Sequence, residues 1–495
     1  MKPVPIVVIV SLSVVLTAFT TLQFATISRM HRSDHEIVQQ ELDSQFGNLV
    51  AFEWDDQSNQ ILGVYIDAQC LDSRSTFETL AKLKDLRVLS IRHGQFQDTD
   101  LKPLSSLTKL TSVELQSLHF TGAGLEHLTG SKGITSLKLN NNPAWAAEES
   151  KRLEELPLLE EIQLACTATT DESIKAFTNH QSLHTLVLDN THVTFAGLKS
   201  ISENSNLRHL SLRSCLLGSL HPDALSQLTT KLPFSLNLAD SDVTDEALIN
   251  IQSLNVVHLN LSGTQISDQG LTYLSGHAYC QSLDLSYTQC SSNGLTDVVT
   301  SLPLQSLILR GIKLNEDALE AFGQCTQLTI LNLANTNVQD QWLAALGNAK
   351  ELEYLILYRT EVTGITLGEL TNLSYLDLSF CPVDSKAIEQ LDLLTNLASL
   401  QLMGLNLSHQ AVKYFTKTNI THLNLSNSSI TNRDLHTLSM MPALKELFVR
   451  NCDISVNDFE MFQSRNTNCV IYWQAYGRDS TYAKPEAMQA MTNRP

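Results

Sequence analysis

The sequence predicts an α/β solenoid in which short parallel strands stack along one axis and short helices or irregular turns cover the opposite side. Two apolar residues separated by one other residue recur eighteen times between Val64 and Ile471, about 24 residues apart. Aromatic residues are only 6% of the chain, which suits a core built from stacked leucines. One such unit cannot bury its apolar face alone, so neighbouring units must stack in register. Bulkier helices outside a parallel β ribbon would curve the stack into a horseshoe with the strands on its concave face.

The first 33 residues are predicted to be an N-terminal transmembrane segment. Residues 4–27, "VPIVVIVSLSVVLTAFTTLQFATI", carry no charge, and as a helix they would span about 36 Å, enough to cross a hydrocarbon core of roughly 30 Å. We expect a signal-anchor and a single-pass membrane protein. The alternative is a cleaved signal and a secreted or periplasmic protein, although no A-x-A-like cleavage site is present. The orientation stays open, because Lys2 flanks one end and Arg29 and Arg32 flank the other.

Three further segments follow along the chain. Residues 34–60 are expected to form an N-terminal cap of a short amphipathic helix and a first hairpin strand, ending at the polar turn "DDQSNQ". A cap is needed because an end coil would otherwise expose its leucines to water. Residues 61–473 form the repeat solenoid, and residues 474–495, which lack its periodicity, are expected to be a flexible tail.

Each part of the repeat unit has a physical reason. The L-x-L core is a strand whose two leucines face inward. A small polar residue or cysteine three positions after the second leucine is expected to bond the backbone from within the coil. These positions include Thr264, Thr288, Thr336, Thr360, Cys215, Cys381 and Cys452. The acidic residue of "ISD" or "VTD", as at Asp245 and Asp268, is expected to be the N-cap of a short helix.

Two departures from the regular step predict local changes. The step from Leu355 to Leu376 is three residues short, so "TGITLGEL" has little room for a full helix. The coil after Leu137 inserts "NNNPAWAAEESKRLEEL" where a helix would ordinarily start.

The repeat resembles the leucine-rich repeat superfamily from about Ile61 to Trp473. The T-x-I-T-D-x-G-L pattern, seen best in "TQISDQGL" from Thr264 to Leu271, resembles membrane-anchored or secreted leucine-rich repeat proteins of planctomycete-type bacteria. Related repeats occur in substrate-reading F-box subunits of ubiquitin ligases. The resemblance implies a horseshoe fold with a binding role.

Composition and motifs narrow the chemistry. The net charge is -19, which disfavours nucleic acid as a partner because phosphate binding needs a basic surface. The nine cysteines are interpreted mainly as buried free thiols. The sequence has no G-x-S-x-G, G-x-G-x-x-G or P-loop motif. We therefore expect no enzyme activity and no cofactor.

Metal binding is not expected either. "DDQSNQ" begins like a calcium loop, but Gln60 replaces the required glycine and Ile66 the required glutamate. His31 and His35 have helical spacing yet lack a further ligand. His209 and His258 fall two strands apart, about 10 Å, which is too far to share one ion.

The candidate binding site is a patch on the concave face. Outward-facing positions are mainly polar or small in the early repeats, but between Leu307 and Leu376 they become large and apolar, with arginine nearby. The proposed site residues are Ile308, Arg310, Ile330, Tyr354, Ile356, Tyr358, Arg359 and Tyr375. Exposed Tyr and Ile rimmed by Arg are typical of protein-binding hot spots. The alternatives are strand propensity, cover by the tail or cover by a second copy.

The function predicted from these features is a non-enzymatic recognition scaffold displayed at a membrane through residues 4–27, binding an unknown protein or peptide. Two alternatives stay open. One is a substrate-reading subunit of a ubiquitin-ligase-like assembly, and the other is a structural cell-envelope protein. A smaller second site at Phe448, Arg450 and Tyr472 is expected to bind or merely to cap the stack.

Overall fold

The computed structural model describes residues 34–473 except 56, 58, 68–73, 179, 202–205, 218–224, 226–227, 229–232, 250 and 384. Two compact units are present, one formed by His31–Leu397 and the other by the chain from Ala398 onward. In the described part, no helix is long and apolar enough to cross a membrane. The predicted anchor at 4–27 and the predicted tail at 474–495 lie outside the described residues, and the domain bounds stay predictions.

The first unit begins with a helix and an antiparallel strand pair, α1 (Asp34–Phe46), β1 (Val50–Trp54) and β2 (Ile61–Asp67). Helix α1 buries Val38, Leu42 and Phe46, which are spaced by four residues and so lie on one face. Between the strands, the Asp55 carboxylate accepts the Gln57 backbone N–H at 3.0 Å. The backbone N–H of Asp55 donates to the carbonyl of Gln60 at 2.8 Å, so these two residues close the hairpin between β1 and β2. Strand β2 also pairs in parallel with the next strand, so β1 and α1 cover what would otherwise be an open end.

A parallel β ribbon forms the strand face of the first unit. Its strands after β2 are β3 (Val88–Arg92), β4 (Ser112–Gln116), β5 (Ser136–Lys138), β6 (Glu161–Gln163), β7 (Thr185–Val187), β8 (His209–Ser211), β9 (Phe234–Asn237), β10 (Val256–Asn260), β11 (Ser282–Asp284), β12 (Ser306–Ile308), β13 (Ile330–Asn332), β14 (Tyr354–Ile356) and β15 (Tyr375–Asp377). The first leucine of each unit lies opposite that of the next, as Leu283, Leu307 and Leu331 do. These leucines are fully buried, so the predicted solenoid and its register are confirmed.

Short helices lie opposite the ribbon. The α-helices of this unit after α1 are α2 (Arg74–Leu80), α3 (Asp171–Ile174), α4 (Phe195–Ile201), α5 (Asp268–Leu274), α6 (Ser292–Ser301), α7 (Glu316–Gly323), α8 (Asp340–Leu343) and α9 (Ser385–Gln390). The 3-10 helices are Gly47–Leu49, Asp98–Ser106, Ala123–His127, Ala147–Glu155, Lys175–Phe177, Asp245–Leu248, Ile251–Ser253, Ala344–Asn348, Leu367–Glu369 and Leu391–Leu393. The short repeat after Leu355 has only the three-residue turn Leu367–Glu369, as its length predicts. The insertion after Leu137 forms the 3-10 helix Ala147–Glu155 and buries Trp145.

The second unit repeats the same plan. Its elements are β16 (Ser399–Gln401), α10 (His409–Tyr414), the 3-10 helix Phe415–Lys417, β17 (His422–Asn424), α11 (Asn432–Leu438), β18 (Glu446–Phe448), α12 (Val456–Arg465) and β19 (Val470–Tyr472). The strands are parallel and in register. At the last strand, Phe448 stacks on Tyr472 with ring centroids 4.3 Å apart, and Tyr472 is buried.

The position three residues after the second leucine bonds the backbone as predicted. The Thr264 hydroxyl donates to the carbonyl of Leu261 at 2.6 Å. Thr288, Thr336 and Thr360 make the same bond in their own coils. Where cysteine stands instead, its thiol reaches the carbonyl of the preceding coil, as from Cys381 to Leu357 at 2.9 Å. The cysteines within the described residues are free thiols, and burial raises the pKa of Cys290 to about 12.

The prediction that Asp245 and Asp268 are N-caps is wrong. Asp268 is the first residue of α5, and the cap is Ser267, whose Oγ accepts the Gln269 N–H at 3.3 Å. The Asp268 carboxylate instead reaches the next coil, where it accepts the N–H of Ser291 at 2.7 Å and its hydroxyl at 2.6 Å. Asp245 makes the same pair of bonds to Ser267. Each aspartate therefore holds the residue that caps the following helix, so the bond joins coils rather than closing its own helix.

We expect Asp268→Ala to lower the free energy of unfolding by about 2 kcal/mol, because two hydrogen bonds to a charged acceptor are lost at a partly exposed site. Asp297→Ala is the matched control. Asp297 is exposed on α6, and the substitution removes the same charge as Asp268→Ala does. Urea unfolding of both variants measures the difference. Equal stabilities for the two variants would show that the bridge between coils contributes nothing.

Candidate functional site

Five of the predicted site residues lie side by side on the strand face, and we call them the strand patch: Ile308, Ile330, Tyr354, Ile356 and Tyr375. All five are half-buried. Ile330 lies opposite Tyr354, and Tyr354 lies opposite Tyr375. The rings of Tyr354 and Tyr375 stack with centroids 5.9 Å apart and planes 24° apart. Ile308 and Ile356 are separated by Asn332 on the strand between them. The sequence thus placed this group correctly on four successive strands, although its role as a binding site stays a prediction.

Burial shifts the pKa of Tyr375 in the strand patch and of Asp377 beside it. Burial raises the pKa of Tyr375, and the neighbouring Asp377 carboxylate raises it further. Burial also raises the pKa of Asp377, while hydrogen bonds from Ser379 oppose that shift. The Tyr375 phenol therefore stays neutral at physiological pH and can donate one hydrogen bond to a ligand.

A second group of side chains follows the ends of the strands β11, β12, β14 and β15, and we call it the edge ridge: Tyr287, Arg310, Tyr358, Arg359 and Phe380. Tyr358 is half-buried and the other four are exposed. The Arg359 guanidinium lies over the rings of Tyr358 and Phe380, at 5.2 and 5.3 Å from their centroids. Tyr358 meets Phe380 edge to face at 5.4 Å. Arg310 lies 5.8 Å from the ring centroid of Tyr287. The two arginines proposed from the sequence are therefore both stacked on aromatic rings.

Sequence reasoning missed Tyr287 and Phe380. Both are exposed, by 53% and 38%, and both stand two residues after the second leucine of their unit. Most coils carry Asn, Gly, Ser or Asp at that place, as at Asn335 and Asn427. A large aromatic residue there is the signal that could have revealed them.

The structure gives no support to the other candidate sites. Phe448 and Tyr472 pack against each other at the last strand, which favours end packing over ligand binding.

His209 and His258 both lie beside Ser235, on strands two apart, and burial lowers the pKa of each. His35 accepts the backbone N–H of Ile61 at 3.1 Å, and His31 lies outside the described residues. The described part of the chain holds no group of three His, Cys, Asp or Glu side chains arranged to bind a metal ion.

Two family models match the chain, both described as leucine-rich repeat, over residues 206–228 and 252–275. The chain therefore contains leucine-rich repeats at these two stretches. The finer resemblance to planctomycete-type repeats stays a prediction. No curated protein matches the sequence.

The solved structures that match the chain include two bacterial proteins and TLR13. An internalin of Listeria monocytogenes is 19% identical, with a TM-score of 0.44, covering 70% of this chain and 91% of its own. A leucine-rich repeat protein of Leptospira interrogans is 18% identical, with a TM-score of 0.44, covering 81% and 99%. TLR13, solved in complex with ssRNA13, is 20% identical, with a TM-score of 0.44, covering 83% and 56%.

Proposed function

We propose that this protein is a non-enzymatic recognition scaffold that binds a protein or peptide on the strand face between β12 and β15. The observation that carries the proposal is the strand patch, where large apolar and aromatic side chains on four successive strands keep part of their surface exposed. Clusters of this composition dominate the binding energy of protein interfaces. Parallel strands also hold the side chains in fixed relative positions, so little order is lost on binding.

The strand face elsewhere supports this assignment by contrast. On β3 to β6 the outward side chains satisfy one another: Arg92 pairs with Glu114 at 2.6 Å, and Lys138 pairs with Glu161 at 3.3 Å. A surface of paired charges gains little from meeting an apolar partner, because its polar groups would lose water. The isoleucines of the strand patch have no polar groups, so an apolar partner can cover them without this loss of hydration.

We also propose that the scaffold is displayed at a membrane by residues 4–27, a segment without charge and long enough to span a bilayer. The alternative is a cleaved segment and release into a secreted or periplasmic space.

The test replaces two neighbouring patch residues with the residue that adjacent coils carry at the same place. Ser282 and Ser306 occupy the position of Ile330 and Tyr354 on the two preceding strands, so Ile330→Ser with Tyr354→Ser should leave the ribbon intact. We expect the double variant of the full-length chain to lose at least tenfold in affinity for the protein that the parent captures from its native lysate. Thermal melting checks that the fold is kept.

Tyr279→Ser is the matched control, because Tyr279 is 53% exposed in the turn after α5 and lies outside the strand patch. We expect it to capture the same protein as the parent. Equal capture by the parent and the double variant would show that the strand patch is not the binding site. That result would favour a structural role for the stack.

A further inference from the structure

The edge ridge presents two arginines that lie over aromatic rings. We infer that it receives an acidic segment of the bound protein or peptide, with Arg310 and Arg359 each holding one carboxylate. This inference rests on the proposed function, and it adds the charge and spacing of the ligand.

The backbone of the edge ridge adopts a conformation that its residues disfavour. The second residue after the second leucine is left-handed in coil after coil, and small or polar residues such as Asp240, Gly263 and Asn335 usually fill it. In the edge ridge this place holds Tyr287 at φ 58°, Arg359 at φ 54° and Phe380 at φ 59°. A left-handed conformation costs an L-residue with a large side chain about 1–2 kcal/mol. Asn and Gly adopt it more readily.

Burial offsets only part of this backbone cost at the two aromatic residues. Tyr287 and Phe380 stay 53% and 38% exposed, so each recovers only part of the burial energy that an aromatic ring can supply. Residues held in disfavoured backbone regions cluster at sites of function, where the strain fixes a side chain in position. Three of them within five successive coils mark this stretch of the edge as a site.

Stacking fixes the direction of both arginines. The Tyr287 ring covers Gly311, where an added Cβ would stand 2.5 Å from Cδ1 of that ring. The Tyr287 hydroxyl accepts a hydrogen bond from Nδ2 of Asn335 at 3.3 Å, so this ring is held across two coils. Arg310 rests on it. Arg359 lies over both Tyr358 and Phe380. A guanidinium stacked on a ring keeps its in-plane N–H groups available for a bidentate carboxylate.

Neither arginine has an ion-pair partner among the described residues. Arg213 provides the contrast, because it follows the second leucine of its coil as Arg310 does but pairs with Asp240 at 2.9 Å. The carboxylates on nearby strands bond their own turns: Asp284 accepts the N–H of Ser286, and Asp377 accepts that of Ser379. The Arg310 charge acts on Asp284 without forming an ion pair, and it opposes the rise in the pKa of Asp284 that burial causes. On a chain of net charge -19, two stacked cations that form no ion pair within the described residues are complementary to an acidic ligand.

Spacing defines the ligand further. Arg310 and Arg359 belong to coils two steps apart, so their backbones are about 10 Å apart. Arg310 leans back over Tyr287 and Arg359 leans forward over Phe380, which widens the distance between the guanidiniums. In an extended peptide, side chains four residues apart lie on one side and about 13 Å apart. The ligand that fits has two acidic residues four positions apart with an aromatic or aliphatic residue between them.

The experiment measures binding of fluorescent nine-residue peptides to the full-length chain by anisotropy. One peptide carries two glutamates four positions apart around a central tyrosine, and its matched partners carry glutamine or lysine in place of glutamate. We expect the glutamate peptide to bind at least tenfold more tightly than the glutamine peptide, and more weakly as salt is added. Arg310→Gln and Arg359→Gln should each weaken that binding about tenfold, while Arg213→Gln should leave it unchanged.

Tyr287→Asn and Phe380→Asn test the strain argument. Each places at a left-handed position the residue that neighbouring coils use there, so we expect an unchanged or higher melting temperature together with weaker peptide binding. A purely structural role for these rings would instead lower the melting temperature. That result would overturn the inference, as would equal binding of the glutamate and glutamine peptides, binding by none of them at millimolar peptide, or full affinity in the arginine variants.

Failure of this inference is distinguishable from failure of the proposed function. If Ile330→Ser with Tyr354→Ser loses the captured protein while the arginine variants keep it, the scaffold binds through the strand patch and the acidic ligand is wrong. If the arginine variants lose the glutamate peptide while the strand-patch variant captures as the parent does, the edge ridge binds acidic segments and the strand patch is not the partner's site.

Discussion

Asn142→Ala is expected to lower the free energy of unfolding by about 3–5 kcal/mol. Asn142 is fully buried at the place where other coils carry threonine. Its Oδ1 accepts the N–H of Leu118 at 2.9 Å, and its Nδ2 donates to the carbonyls of Leu115 and Leu139, each at 2.8 Å. Alanine would remove the partner of a buried backbone N–H and weaken two carbonyls, and each unsatisfied buried group costs about 1–3 kcal/mol.

Asn142→Thr separates the bonds within the coil from those between coils. Threonine should still bond its own coil, as Thr264 does to Leu261, but it is too short to serve the neighbouring coil as well. We therefore expect about half the loss seen with alanine. Urea unfolding gives the stabilities, and amide hydrogen exchange at Leu118 should accelerate in both variants. An alanine variant as stable as the parent would show that this network contributes nothing to the stack.

The strands and their register could be predicted because the information for them is local and repeated. An apolar residue at every second position buries one side of a short strand, and a nearly constant step places Leu307 beside Leu331. The bond made by Thr264 was predictable for the same reason, since its acceptor lies three residues away. The position of the strand patch followed from alternation along β12 to β15. That alternation does not indicate what the strand patch binds, so its role as a binding site remains a proposal.

Interactions between coils were harder to predict. Asp268 was expected to cap its own helix because an acidic residue at a helix start usually has that role. Its carboxylate instead accepts a hydrogen bond from the hydroxyl of Ser291, 23 residues further along the chain. Only the stacking of coils brings the two residues together. A serine or threonine one repeat step after the aspartate is the sequence feature that marks this bond.

The aromatic residues of the edge ridge were missed because they oppose local preference. Tyr287 and Phe380 stand where the backbone is left-handed, a place that sequence reasoning assigns to Gly or Asn. A pattern of preferred residues predicts turns well but gives no reason to expect a ring at such a point. The aromatic residue at this position is itself informative, because the chain has a disfavoured residue where Gly or Asn would adopt the left-handed backbone more readily.

Gly323→Ala is expected to lower the free energy of unfolding by about 3 kcal/mol. Gly323 ends helix α7, and it is buried against the following coil. A Cβ there would press on the carbonyl oxygen of Ala345 and stand 3.0 Å from its carbon. Both atoms belong to the backbone of the 3-10 helix Ala344–Asn348, so no side chain can rotate to make room. The two coils must separate, which is the overpacking cost of a filled interior.

Gly347→Ala is the matched control, because its added Cβ would meet nothing closer than 3.7 Å. Gly347 lies in a 3-10 helix without a left-handed backbone, so we expect no loss, or a gain of up to about 1 kcal/mol from reduced freedom in the unfolded chain. Urea unfolding of the two variants measures the contrast. The coils that meet at Gly323 also carry β12 and β13, hence Ile308 and Ile330. If Gly323→Ala is as stable as the parent, these coils separate at no cost, and close contact on the helix side does not set the spacing of the strand patch.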